Sequence, residues 1–120
     1  VTIGLGSEVT NACGCTSVLE VLSLIGSSDL FIGNNSGLLH MASALGVPTI
    51  SFSGGINMAR WAPLGSTEKN RVMMPDPECS LTYCPSCTRK GKHCLDSIEV
   101  EDVVDAAYEM LSGLEAFASH

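Results

Sequence analysis

Hydrophobic and polar positions along this chain fall into short runs that alternate between two periods. Asp29 to Ile32 is an apolar run of strand length, suited to a buried parallel strand, and it breaks at Gly33 into the polar turn Asn34-Asn35-Ser36-Gly37. A helical pattern follows. Leu38, Met41, Ala42 and Leu45 recur at i, i+3, i+4 and i+7, which predicts one apolar stripe, while Ser36, His40 and Ser43 share a different face. Gly46 closes this helix and Pro48 forbids its continuation.

The rest of the chain repeats the alternation. Val1 to Gly6 reads as a strand ending in glycines, with Glu8 in the loop after it. Ser17 and Glu20 have capping-box spacing at the head of the helix SVLEVLSLIG, and Thr16 is the other candidate for its cap. Apolar residues cover most of that helix, so burial on more than one side is expected. Pro48 to Phe52 predicts the next strand, and Ser53-Gly54-Gly55 turns out of it at the sheet edge that also carries Asn34 to Gly37. INMARWAPLG, broken by Pro63 and Gly65, allows one helical turn and a loop.

Arg71 to Met74 is a further short strand, and Val100, Val103, Val104, Ala107, Leu111 and Leu114 mark a stripe on a C-terminal amphipathic helix. Alternating strands and helices imply an α/β class: a Rossmann-like, mostly parallel sheet with helices on both faces. The domain is expected over residues 1–114, with a cysteine-rich loop at 75–97 and a flexible tail at 115–120. The opening at Val1, almost inside a strand, suggests a piece of something longer. A sheet shortened in this way would leave an edge open to pairing with a second copy, so a homodimer is a candidate assembly.

Composition narrows the functional classes. At 120 residues, 45% of them hydrophobic, the chain can build one core. A net charge of -7 argues against a general binder of nucleic acid or anionic membrane, which needs clustered lysine and arginine. No apolar run is long enough to span a bilayer, and the first residues lack a signal-peptide layout, so a cytoplasmic location is expected.

Two features carry candidate chemistry. A helix that starts directly after a buried strand presents unpaired backbone N–H groups and a positive dipole end, where phosphates tend to bind; Gly33 and Gly37 would let a ligand approach that backbone. A capped crossover helix that binds nothing fits the same residues. The second feature is Cys79, Cys84, Cys87 and Cys94, spaced C-x4-C-x2-C-x6-C in a hydrophilic loop. Four thiols there suit a structural tetrahedral zinc, with His93 as a substitute ligand; reduced or partly paired thiols are the alternative. Cys13 and Cys15 are expected as thiols at the edge of the core. Arg89, Lys90 and Lys92 in the same loop could face a phosphorylated or acidic acceptor, or form only a solvated face.

The wording DLFIGNNSGLLHMASALGVPTISFSG, continued by ARWAPLG, resembles the C-terminal domain of glycosyltransferase family 9, the heptosyltransferases of lipopolysaccharide assembly. Members of that family carry a strand ending in Ile-Gly-Asn, then Asp-Ser-Gly, two residues and a histidine, an alanine-rich helix, Gly-x-Pro-Thr and a strand ending in Phe-Gly. The likeness runs from about Cys13 to Gly65, and more thinly to Ile98. It departs at its centre, where Asn35 stands in place of the family's usual aspartate.

The resemblance implies the C-terminal half of a two-domain B-type glycosyltransferase, with the first strand-helix unit of that half missing. It implies inverting transfer from a nucleotide-diphosphate sugar of the ADP-heptose type to a glycan or lipopolysaccharide-core acceptor, with the protein cytoplasmic or peripheral at the inner membrane and no cofactor required. The donor would be held by Asn35, Ser36, Gly37 and His40, with Thr16 and Glu8 near the nucleotide. No catalytic base is expected in this part, because that group comes from the N-terminal half. A non-catalytic relative that keeps the fold, and a zinc-braced binding module, are the alternatives.

Overall fold

The structure, a computed structural model, describes residues 8–54, 58–74 and 94–118, and the side chains of these apart from residues 94 and 114–118. The expected strand at Val1 to Gly6 lies outside the described residues, as does most of the cysteine-rich loop. Within them the chain alternates helix and strand: α1 (Val18–Gly26), β1 (Phe31–Asn34), α2 (Gly37–Ala44), β2 (Thr49–Phe52), α3 (Met58–Trp61), β3 (Asn70–Met73) and α4 (Val100–Ala118). A short 3-10 turn, Cys94–Ser97, precedes α4. The last helix runs past residue 114, where the sequence placed the end of the domain.

The three strands form one parallel sheet in the order β1-β2-β3, with Phe31 opposite Thr49 and Thr49 opposite Asn70. Side chains alternate across the sheet, so Phe31, Thr49 and Ser51 point to one face while Ile32, Ile50 and Arg71 point to the other. Helices α1 and α2 cover the first face, where Ile25, Ala42 and Val47 form a buried cluster with Val21 and Phe31 packed against it. Helix α4 covers the second, where Glu109 reaches Arg71 at 2.7 Å and Ala106 is buried. This is the Rossmann-like α/β arrangement that the alternation predicts.

Local chemistry explains the helix ends. Ser17, not Thr16, caps α1: its backbone N–H donates to Glu20 Oε2 at 2.7 Å, and the Glu20 amide donates back to its hydroxyl, closing the capping box. At the end of α2, Gly46 turns into the left-handed region at φ +76. The Gly46 amide then donates to Ser43 O and the Val47 amide to Ala42 O, the paired bonds of a Schellman stop.

Three expected faces are rotated. On α2, Ala42 of the expected stripe is buried and Met41 half-buried, but Leu38 and Leu45 are exposed and Leu39, outside the stripe, is 0% exposed. On α4 the buried residue is Ala106, while Val100, Val104 and Leu111 of the expected stripe face outward. The small Ala106 is thus the residue α4 buries, while the larger Val100, Val104 and Leu111 are left exposed. On α1 only Ile25 is buried, with Val18, Leu19 and Leu24 exposed, because this helix stacks beside α2 instead of being sandwiched. Cys13 and Cys15, placed at the core edge by the sequence, are exposed.

Candidate functional site: the cleft at the head of helix α2

Strand β1 delivers Asn34 and Asn35 to the carboxyl edge of the sheet, and α2 starts two residues later. Ser36 occupies the N-cap position with extended backbone, φ -145 and ψ 175, yet its side chain makes no capping hydrogen bond. Its carbonyl accepts from the His40 amide at 3.3 Å, starting the helical ladder. The amides of Gly37 and Leu38 therefore have no partner among the described residues, and both residues are solvent-exposed. Unpaired first-turn N–H groups and the helix dipole make this end of α2 locally positive.

Gly37, the first residue of α2, lines a cleft of about 330 Å3 together with Asn35, Ser36, His40 and Trp61. None of the five is acidic, so an anion would meet no like charge there despite the chain's overall balance of -7. A Cβ built on Gly37 would meet nothing within 4 Å, which marks open space on that side of the backbone.

The wall opposite α2 comes from the segment after β2. Asn35 Nδ2 donates to the Trp61 carbonyl at 2.8 Å and lies 3.4 Å from Ser53 Oγ, just beyond the end of β2. Only the amide nitrogen of Asn35 can serve a carbonyl acceptor, so the orientation of the side chain is set. The Asn35 amide also donates to Phe52 O at 3.3 Å. Ser43 on α2 donates its hydroxyl to Leu64 O and ties the far end of the same segment to the helix. Arg60 lies over the Trp61 ring, its guanidinium carbon 5.4 Å from the centroid.

Four of the residues singled out in the sequence, Asn35, Ser36, Gly37 and His40, thus meet in one cleft. Trp61 joins them from 26 positions away, through the Asn35 bond. Glu8 is exposed and Thr16 half-buried, and neither lines the cleft. Cys79, Cys84 and Cys87 lie outside the described residues, as does the side chain of Cys94; the same holds for Arg89, Lys90, Lys92 and His93. Among the described residues no group of three or more potential ligands could hold a metal ion.

The family model for glycosyltransferase family 9 (heptosyltransferase) matches residues 2–92, most of the chain and the whole of the cleft. The chain belongs to glycosyltransferase family 9. It is 26% identical over 104 residues to lipooligosaccharide heptosyltransferase 2 of Campylobacter jejuni, covering 87% of this chain and 32% of that protein. It is 29% identical over 102 residues to the lipopolysaccharide core heptosyltransferase OpsX of Haemophilus influenzae, covering 79% of this chain and 29% of that protein. This family 9 chain therefore spans about a third of the length of these curated relatives. No solved structure matches it significantly. No helix among the described residues is long and apolar enough to cross a membrane.

Proposed function

We propose that this family 9 chain holds the donor in a glycosyltransferase of surface-glycan assembly, with the α2 amides receiving the diphosphate of a nucleotide-diphosphate sugar. The observation that carries the reading is the open head of α2. The Ser36 hydroxyl leaves the first-turn N–H groups unused, and the cleft at the head of the helix has no carboxylate among its described lining residues.

In sugar transfer the bond from the anomeric carbon to the diphosphate oxygen breaks, and negative charge builds on the departing group. Fixed N–H donors at Gly37 and Leu38, with the helix dipole behind them, stabilise that charge without reorganising. His40 lines the same cleft one helical turn on, where its ring can donate to a second phosphate oxygen. The group that deprotonates the acceptor would come from outside this chain, in keeping with its coverage of a third of its relatives. Both relatives are named for heptose transfer to lipooligosaccharide or lipopolysaccharide core, and a heptose-like donor with a glycan acceptor is the corresponding proposal here.

Calorimetric titration of the intact protein with nucleoside diphosphates tests this. Saturable binding is expected, weakened by replacement of His40 with alanine. A folded protein that shows no saturable binding would count against the reading.

A further inference from the structure

We infer that Trp61 is the specificity-determining residue of this cleft, stacking on the ring that the diphosphate carries, and that Asn35 is the positioning residue that holds it there. The inference rests on the donor-binding reading above and adds to it a discriminating contact.

Trp61 is the single tryptophan of the chain, and 50% of it is exposed. A tryptophan that served only the core would be more deeply covered, since its large apolar surface rewards burial. Instead Trp61 is half exposed and lines a cleft whose other lining residues are small or polar. Amides select for charge and not for what the charge is attached to. An aromatic face adjoining them is suited to selecting a ring, through stacking on a nucleobase or on the apolar face of a sugar. Arg60, over the Trp61 ring, adds a cation beside that wall.

The indole is placed by its own backbone. Helix α3 is a single turn and cannot hold Trp61 rigidly by itself. The bond from Asn35 Nδ2 to the Trp61 carbonyl supplies the missing constraint, and Ser53 Oγ lies within reach of the same nitrogen. An aspartate at position 35, the residue family resemblance leads one to expect, would have no hydrogen to give when ionised, and its charge would repel the Trp61 carbonyl. The asparagine of this chain is thus matched to a cleft wall that hangs from it.

The single tryptophan makes the test direct. Affinities for inorganic phosphate, inorganic pyrophosphate, ADP and glucose 1-phosphate are measured by calorimetry on the wild type and on the Trp61→Ala, Trp61→Phe and Asn35→Asp variants, and Trp61 emission is followed in the wild type and in Asn35→Asp. In the wild type at least one ring-bearing ligand is expected to bind about tenfold more tightly than the bare anion of matching charge, and to quench Trp61. Gain with ADP assigns the ring to the base, gain with glucose 1-phosphate assigns it to the sugar, and either supports the inference. Trp61→Ala should erase the gain and leave pyrophosphate binding intact, Trp61→Phe should keep it, and Asn35→Asp should red-shift Trp61 emission and lose the gain. Ring preference unchanged in Trp61→Ala, or unaltered emission and preference in Asn35→Asp, would overturn the inference while leaving donor binding standing. Failure of all four ligands to bind the folded wild type would remove the donor reading itself.

Discussion

Asn35 and Asn70 stand at opposite ends of the sheet and fasten the same connection, between β2 and β3, at points a few residues apart. Asn35, past the carboxyl end of β1, donates to Trp61 O, while Asn70, the first residue of β3, donates to Leu64 O at 3.1 Å and Ser66 O at 2.9 Å. Asn70 also accepts from Thr49 Oγ1 at 2.9 Å, which joins the connection to the fully buried start of β2. A segment with one helical turn of its own is thus ordered by side-chain amides. Asn70→Asp would lose both donations and set a carboxylate against two carbonyls. A loss of about 1–3 kcal/mol in urea unfolding is expected; unchanged stability would show that the connection holds itself.

The rotated face of α2 gives a paired prediction. Leu39 is fully buried and Leu38 is not. Leu39→Ala should cost about 2–5 kcal/mol through lost burial and the cavity left behind, whereas Leu38→Ala should stay within about 1 kcal/mol. Thermal unfolding of the two variants compares them directly, and equal losses would contradict the observed register.

The capping box sets a pH dependence. The backbone and side-chain hydrogen bonds from Ser17 hold the Glu20 carboxyl below its ordinary value of 4.5. The folded chain therefore releases this proton more readily than the unfolded chain. Its contribution to stability is complete above 4.5 and disappears as pH falls through the lower folded value. Glu20→Gln should flatten the acid side of the stability profile, and Ser17→Ala should lower stability at neutral pH by about 1 kcal/mol. An acid limb of the same slope in Glu20→Gln would refute this assignment.

Gly37 separates folding from binding. Its φ is not positive, and an added Cβ meets nothing within 4 Å, so Gly37→Ala should fold at least as well as the wild type and gain helix propensity. The methyl would nevertheless stand beside the open amides. Loss of one charge-assisted hydrogen bond, worth about 1.5–3 kcal/mol, would weaken pyrophosphate binding by roughly ten- to a hundredfold. Weakened binding with unchanged thermal stability is the expected pair of results; a variant that binds pyrophosphate as the wild type does would contradict the placement.

Much of this was legible in the sequence, for identifiable reasons. Short apolar runs marked the described strands, the 3.6 period marked α2 and α4, the Ser17–Glu20 spacing marked the start of α1, and Gly46 with Pro48 marked the stop of α2. Spacing alone left helix rotation open. On an eight-residue helix, Leu38 and Leu39 lie about 100° apart with Ala42 between them, so the pattern suits either leucine facing inward. Only the approach of the sheet decides between them. On α4 the same ambiguity was settled by size, with Ala106 fitting where a valine would hold the helix away. The motif brought Asn35, Ser36, Gly37 and His40 together because they are neighbours on one turn and one helix. Trp61 lies in a segment broken by Pro63 and Gly65; its bond to Asn35 spans 26 positions and has no periodic signature.

The most direct test of the account reads the α2 amides themselves. In nitrogen-proton correlation spectra recorded during titration with pyrophosphate and then ADP, the Gly37 and Leu38 amide signals should move furthest and saturate together, with His40 and the Trp61 indole following and β3 unmoved. Saturation of shifts elsewhere, with the Gly37 and Leu38 signals unchanged, would contradict the claim that the head of this helix receives the leaving diphosphate.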